Sequence, residues 1–121
     1  MKLVTLVSNN VGVDTYLELR KAVNFKPLSR TQAKKALDNS LYIVCAYIDA
    51  KIVGMGRLVG DGAVICYIQD LMIHPNYQKQ GIGTKLMNDM LAYLKSRQIF
   101  MISVIFEEGL RPFYERFGFW S

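Results

Sequence analysis

A chain of 121 residues is long enough for one folded domain around a single core and too short for two. Apolar residues make up 51% of it and charged residues 21%, a balance typical of globular proteins and not of disordered ones. The formal charge of +5 suits an anionic partner, but the Lys and Arg residues are scattered and form no basic stripe of the kind that binds nucleic acid. We therefore expect a single domain over residues 1–121 and no nucleic-acid partner.

The cysteines, the histidine and the apolar runs exclude several further classes. Cys45 and Cys66 each lie inside an apolar, strand-like run, far from any C-x-x-C spacing, which indicates small buried side chains. Because His74 is the only histidine, the usual ligands of a zinc site are missing, and we expect no metal. The apolar runs Leu3–Val7 and Leu41–Ile48 are too short for a signal peptide or a membrane span. The sequence thus predicts a cytoplasmic protein with no membrane partner.

The N-terminal part of the chain predicts a strand and two short helices. Leu3–Val7 is apolar and partly β-branched, and turn-forming residues follow it. Val13–Val23 has the spacing of an amphipathic helix, with Asp14 as the candidate N-cap. A second, more polar helix is expected from the candidate N-cap Ser29 to Leu37.

The next stretch predicts three strands of an antiparallel meander. Leu41–Ile48 is apolar on both faces, as a central strand is, and a short turn leads into Ile52–Val59. Gly54 and Gly56 interrupt this second strand, which indicates a β-bulge or a place where a ligand or another backbone comes close. The third strand is expected over Ala63–Ile73.

The C-terminal part predicts a helix, a strand and a helix in turn. Pro75 ends the third strand, and an amphipathic helix begins after the glycine-bearing turn at Gly81. Phe100–Phe106 returns as a strand, and the strand–helix–strand order implies a parallel neighbour. The last helix starts near Leu110, with Pro112 in its first turn. Together these elements predict an α/β (α+β) fold whose mixed, mostly antiparallel sheet is flanked by about four helices.

The turn before the long helix predicts an anion site. A helix start leaves N–H groups without intrahelical acceptors, and the peptide dipoles add about half a positive charge there. Without a Cβ at Gly81 and Gly83, a phosphate can come within reach of these donors. A dinucleotide fingerprint is excluded because its third glycine would fall on Leu86, and a Walker A loop because Thr84 precedes Lys85.

At two places the residues resemble the GCN5-related N-acetyltransferase (GNAT) family. Gln78-Lys79-Gln80-Gly81-Ile82-Gly83 is similar to the Q/R-x-x-G-x-G/A signature that binds the pyrophosphate of acetyl-coenzyme A in that family. Pro112–Phe119 resembles the later F-Y-x-x-x-G-F segment, whose tyrosine lies near the thioester sulfur. Each motif is short, but the two in this order, with one strand-like stretch between them, are specific. The resemblance covers roughly Leu41–Phe119.

The resemblance implies a single-domain GNAT-like fold and a binding site for acetyl-coenzyme A. Backbone amides of the loop Gln78–Thr84 would hold the pyrophosphate. The arm of the coenzyme would enter between two parallel strands and pair with the backbone at Leu71, Met72 and Ile73, where a freed N–H near Met72 would bind the thioester oxygen. The predicted cofactor-binding residues are therefore Leu71, Met72, Ile73, Gln78, Lys79, Gln80, Gly81, Ile82, Gly83 and Thr84. The side chains of Leu71 and Ile73 are expected to pack in the core.

The same resemblance implies direct attack of an amine on the thioester. An alkylamine is protonated at pH 7, so that a base or a water path is needed. Asp70 is the candidate base or acceptor contact, with a solvated or salt-bridged side chain as the alternative; Glu107 and Glu108 are further candidates. Tyr114 is the candidate hydrogen-bond donor to the leaving thiolate, whereas helical spacing alone indicates a packed ring. Full proton transfer from Tyr114 would be uphill by about 2 kcal/mol unless its environment lowers its pKa.

The predicted function is transfer of an acetyl group from acetyl-coenzyme A to a primary amine, with a small molecule or a peptide as the acceptor. The alternative is a non-catalytic domain that keeps the fold and the coenzyme site as a sensor or interaction module. The presence of both Tyr114 and the glycine loop favours the enzyme. The acceptor stays open, because the first two helices and their loop near Val23–Arg30 match the family least. A homodimer is a further expectation.

Overall fold

The structure is a computed structural model that describes residues 3–119 as a five-stranded sheet with helices on both faces. The elements in chain order are β1 (Thr5–Ser8), α1 (Val13–Ala22), α2 (Arg30–Asp38), β2 (Tyr42–Ile48), β3 (Lys51–Gly60), β4 (Ile65–Ile73), α3 (Ile82–Ser96), β5 (Met101–Val104) and α4 (Arg111–Glu115). Short 3₁₀ turns precede α3 and α4. No helix in this described range is both long and apolar enough to cross a membrane.

The strands lie in the order β1-β2-β3-β4-β5. Each neighbouring pair is antiparallel except β4 and β5, which are parallel because α3 carries the chain back between them. The predicted mixed, mostly antiparallel sheet is confirmed. The predicted strand boundaries agree to within two residues; β5, for example, ends at Val104 and not at Phe106.

Two groups of buried side chains pack on opposite faces of the sheet. On one face, α3 contributes its apolar stripe, including Leu86, Met90 and Leu94, and α4 adds Tyr114. On the other face, α1 and α2 cover the sheet, with Tyr16 of α1 completely buried. The site described below is formed by the end of β4 and the loop that leads into α3.

The helix starts show one correct and one wrong prediction. Ser29 is the N-cap of α2, and its hydroxyl accepts from the amide of Gln32 while the Gln32 side chain accepts from the amide of Ser29, a complete capping box. Asp14 is not the N-cap of α1, which is Gly12 without a side-chain cap. Asp14 lies inside the first turn and pairs with Arg30, which joins α1 to α2.

Both cysteines are buried, as predicted. Burial raises the pKa of the Cys45 thiol to about 12 and that of the Cys66 thiol to about 11, because an apolar environment disfavours the charged thiolate. At neutral pH both side chains are therefore neutral thiols, which are poor nucleophiles.

A β-bulge in β4 decides which side chains face which layer. Gly56 of β3 faces two residues of β4, Asp70 and Leu71, since Arg57 pairs with Gln69 and Met55 with Met72. Asp70 has the positive φ of 51° that such bulges use. Ile68 and Met72 are four residues apart yet pack on opposite faces, which an unbroken strand could not do.

The bulge confirms the prediction made from Gly54 and Gly56. A Cβ at Gly56 would lie 2.6 Å from the terminal methyl of Met90, so the glycine lets α3 approach the bulged strand. The consequence for the site is that the Asp70 side chain points towards α1 and away from the apolar layer under α3.

Candidate functional site

Strand β4 extends beyond its pairing with β5 and leaves an open backbone edge. The parallel ladder joins only Ile65–Ile68 to Met101–Val104, whereas β4 continues to Ile73 and there pairs with β3 alone. The predicted residues Leu71, Met72 and Ile73 lie in this extension, and the side chain of Met72 is buried. Backbone groups on the β5 side of the extension therefore have no ladder partner among residues 3–119. An extended amide-bearing ligand could pair with them as a strand would.

The loop Gln78–Thr84 follows the 3₁₀ turn Pro75–Tyr77, and its first four residues are exposed. Gly81 is the N-cap of α3 with a φ of 81°, and no side chain caps this helix end. The first intrahelical bond runs from the amide of Lys85 to the carbonyl of Gly81, at 3.1 Å. The amides of Ile82, Gly83 and Thr84 precede that bond and are the unpaired donors of a helix start. They form the cradle that an anion needs.

Gln78 fixes the position of the loop relative to the open strand. Its side-chain amide donates to the carbonyl of Ile73 at 3.1 Å, across the turn that contains His74. Lys79 and Gln80 are exposed, and Lys79 has a φ of 62°. The predicted loop residues and the open edge of β4 are thus held next to each other.

The two glycines of the loop serve different purposes. A Cβ at Gly81 would meet nothing within 4 Å, so this position requires glycine because of its left-handed φ. A Cβ at Gly83 would lie 3.4 Å from the ring of Phe113, so this glycine admits a side chain of α4. The sequence prediction treated both as room for a phosphate, and it missed the contact between α3 and α4. The Ile82 side chain is 1% exposed and belongs to the core, which leaves only its amide for a ligand.

Tyr114 lies on α4, which packs against the first turn of α3 through Phe113. Its ring stacks on Phe106 with centroids 4.5 Å apart and meets Phe113 edge-on at 5.1 Å. The side chain is 5% exposed, and no residue within 3–119 forms a hydrogen bond with its hydroxyl. Burial raises the pKa of Tyr114 above its ordinary value of 10.0, so that full proton transfer is harder than the sequence suggested. The chemistry that this environment supports is hydrogen-bond donation.

Asp70 is held by three donors from three elements. The Tyr16 hydroxyl donates at 2.5 Å and the Arg57 Nε at 2.7 Å to one carboxylate oxygen, and Arg20 Nη1 donates at 2.9 Å to the other. The Asp70 side chain is 7% exposed. Burial, followed by the bond to Asp70, raises the pKa of Tyr16, which therefore remains a donor. This is the salt-bridged alternative of the sequence analysis, and the role of Asp70 as a base stays a prediction that this geometry disfavours.

The two glutamates after β5 lie at the surface. Glu108 receives two hydrogen bonds from the Arg111 guanidinium, and these hold the pKa of the Glu108 carboxyl below its ordinary value. Glu107 is the N-cap of the 3₁₀ turn that precedes α4. In the described range no group of three His, Cys, Asp or Glu side chains could hold a metal ion.

Arg116 is a site residue that the sequence analysis missed. Its Nη2 donates to the Thr84 hydroxyl at 3.3 Å, which joins the end of α4 to the first turn of α3. The guanidinium also lies over the rings of Phe113 and Phe117. A permanent cation thus stands beside the free amides. No local pattern signals this, because the two partners are far apart in the sequence.

Comparison with known proteins adds independent findings. A family model described as the acetyltransferase (GNAT) family matches residues 13–119. A Prochlorococcus marinus protein named uncharacterized N-acetyltransferase ycf52-like is 32% identical over 94% of this chain and 67% of its own length. An Arabidopsis thaliana protein named GCN5-related N-acetyltransferase 3, chloroplastic, is 37% identical over 59% of this chain and 30% of its own length.

Solved structures agree with these sequence relatives. A probable acetyltransferase from meticillin-resistant Staphylococcus aureus superposes with a TM-score of 0.90 at 29% identity, covering 98% of this chain and 91% of that one. A GNAT-family acetyltransferase from Streptococcus pneumoniae gives a TM-score of 0.86 at 33% identity, covering 98% and 88%. The fold around the open strand and the loop is therefore shared with solved acetyltransferases.

Proposed function

Since the chain belongs to the GNAT acetyltransferase family, we propose that it transfers an acetyl group from acetyl-coenzyme A to a primary amine. The observation that carries the proposal is the row of unpaired amides at the start of α3. These amides lie beside the open edge of β4 and next to α4, the helix that carries Tyr114. The amides of α3 suit an anionic group, the open edge of β4 suits an extended amide-bearing arm, and the Tyr114 hydroxyl suits a sulfur that leaves as a thiolate. Acetyl-coenzyme A carries all three chemical features.

The described residues fit this co-substrate. The amides of Ile82, Gly83 and Thr84 would hold the pyrophosphate, with Arg116 as an added cation. The backbone of Leu71–Ile73 would pair with the amides of the arm. The cradle at Gly81 is open, since a Cβ there would meet nothing within 4 Å.

The bound thioester would supply an activated acetyl group, and the protein would supply two hydrogen-bond donors. A backbone N–H near Met72 would stabilise negative charge on the carbonyl oxygen as the amine attacks the carbonyl carbon. The Tyr114 hydroxyl would donate to the sulfur as the carbon–sulfur bond breaks, and because its pKa is raised it would keep its proton. The proton of the amine leaves to solvent or to a base that is not assigned.

A non-catalytic sensor with the same fold is the competing function. The two are separated by measuring thiol release from acetyl-coenzyme A with a panel of amines, beside calorimetric binding of the coenzyme. Turnover with at least one amine supports the enzyme, and tight binding without release under every amine supports the sensor. The homodimer and the cytoplasmic location stay predictions; the printed name of the Arabidopsis relative places that protein in the chloroplast.

We expect the Gly81→Ala variant to bind acetyl-coenzyme A about tenfold more weakly. A left-handed alanine costs about 1–2 kcal/mol, and a loop that relaxes to a negative φ turns its amides away from the ligand. Gly109→Ala is the matched control, because a Cβ there also meets nothing within 4 Å and its φ is not positive. Calorimetry of both variants checks the prediction, and equal affinities would remove the loop from the binding site.

A further inference from the structure

We propose that the acceptor amine carries a carboxylate, which Arg20 and Lys21 hold in a pocket between α1 and the loop to α2. The inference deepens the proposed function and rests on it. The chemical class is an amino acid with an apolar side chain.

The pocket has a volume of about 550 Å³ and combines apolar walls with cationic groups. Its lining residues are Leu17, Arg20, Lys21, Asn24, Phe25, Pro27 and Leu28. No carboxylate is among them. Phe25 is 39% exposed and lies under the Arg20 guanidinium, with 5.4 Å between the guanidinium carbon and the ring centroid. A ligand that suits this lining has an apolar body and a negative charge.

The charges beneath the pocket do not balance. Among residues 3–119, Asp70 is the single carboxylate that pairs with Arg20 and Arg57, whose side chains are only 12% and 14% exposed. Of the acidic residues of the two helices, Asp14 pairs with Arg30 and Asp38 with Lys34. Glu18 of α1 is exposed, and it forms no ion pair with Arg20 or Arg57. One buried guanidinium charge therefore lacks a counter-ion in the described part of the chain. A bound carboxylate would supply it, which is favourable because unpaired charges are costly away from water.

Arg20 also has hydrogen-bonding capacity to spare. Its Nη1 donates to Asp70 and its Nη2 to the carbonyl of Lys26 at 2.8 Å, while its Nε is buried and without a partner. A guanidinium carries five N–H donors, so two accepted bonds leave others for a ligand. Lys21 on the rim of the same pocket has no carboxylate partner among residues 3–119.

The hydrogen bond between Arg20 and Asp70 connects this pocket to the strand where acetyl transfer would occur. Arg20 bonds to Asp70, and Asp70 directly precedes Leu71, the first residue of the open backbone edge. A carboxylate held by Arg20 and Lys21 would thus lie one side-chain contact from Asp70, and the proposal is that its amine turns from there towards the thioester. The same positive charge would repel acceptors that carry several amines, because like charges at a binding site oppose association.

The test compares phenylalanine with phenylalaninamide as acceptors, with rates corrected for the unprotonated fraction of each amine. We expect kcat/KM to be at least tenfold higher for phenylalanine. In Lys21→Gln, kcat/KM for phenylalanine should fall about fivefold more than that for the amide. Lys95→Gln at the end of α3 is the matched control, because Lys95 is far from the pocket, and it should change neither value. Equal kcat/KM for the two acceptors would overturn the proposal while leaving acetyl transfer intact.

A second measurement does not depend on turnover. NMR chemical-shift changes measure the binding of N-acetylphenylalanine and of N-acetylphenylalaninamide in the absence of coenzyme. Both ligands are titrated into the wild type and into Lys21→Gln. The inference is supported if the carboxylate form binds at least tenfold more tightly and if Lys21→Gln and added salt both weaken this binding. That support holds even if no amine is acetylated. Equal binding of the two forms overturns it even if acetylation is observed.

Discussion

Replacing Asp70 with asparagine is expected to lower the free energy of unfolding by about 3–5 kcal/mol, the usual cost of breaking a buried ion pair from one side. The variant leaves Arg20 and Arg57 facing each other without the carboxylate that separates them. Asparagine is the right substitute because it tolerates the left-handed φ of this position, so the change removes charge and adds little backbone strain. Against a total stability of about 5–15 kcal/mol, the loss is large.

Urea denaturation of Asp70→Asn and Asp38→Asn measures this effect against a matched control. Asp38 also pairs with a cation, Lys34, but its side chain is 58% exposed, and such surface pairs contribute about 0.5 kcal/mol or less. Similar losses for both variants would show that the network of Asp70 contributes no more than a surface pair. A stable Asp70→Asn protein that had lost activity would instead support Asp70 as the base.

Replacing Tyr114 with phenylalanine is expected to lower kcat about a hundredfold and to leave the affinity for acetyl-coenzyme A nearly unchanged. The ring keeps its stacking on Phe106, and only the hydroxyl that would donate to the sulfur is lost. A positioned donor or acid contributes about 10²–10⁴-fold in rate. Steady-state kinetics and calorimetry separate the two effects.

Tyr93→Phe is the control for this variant, since Tyr93 is also a packed tyrosine, stacked on Tyr42 at 4.1 Å, but it lies near the C-terminal end of α3, away from the loop at its start. The pH dependence gives a second check. Because the pKa of Tyr114 lies above 10.0, its hydroxyl stays protonated and able to donate throughout the neutral range. The wild type should therefore lose no activity through ionisation of Tyr114 below pH 10. An unchanged kcat in Tyr114→Phe would remove this residue from the mechanism.

The architecture could be predicted from local patterns because each element is locally consistent. Apolar runs, turn residues and the helical stripe of α3 indicated five strands and four helices in the correct order. The one wrong cap shows the limit of such signals. Asp14 has the right chemistry for an N-cap, but the helix begins one residue earlier, at Val13, and the Asp14 side chain pairs with Arg30 of α2 instead of capping the helix.

The loop of the candidate site could be predicted from the sequence because its two glycines lie two residues apart in one short segment, whereas the surroundings of Asp70 could not. The bulge that turns this side chain towards α1 lies opposite Gly56, on a different strand, and the partners Tyr16 and Arg20 come from the least matched part of the chain. The contact between Gly83 and Phe113 is likewise long-range. Sequence spacing reports neighbours along an element, and these contacts join elements that meet only after folding.

The short ladder between β4 and β5 has a consequence for local stability. Only four pairs, from Ile65–Met101 to Ile68–Val104, attach this last strand, and the helix that carries Tyr114 follows it. We infer that the β5–α4 segment opens more readily than the long hairpins and that its amides exchange with deuterium sooner. A molecule that bridged the gap would slow this exchange, so that occupancy could be read from β5 before any reaction is measured.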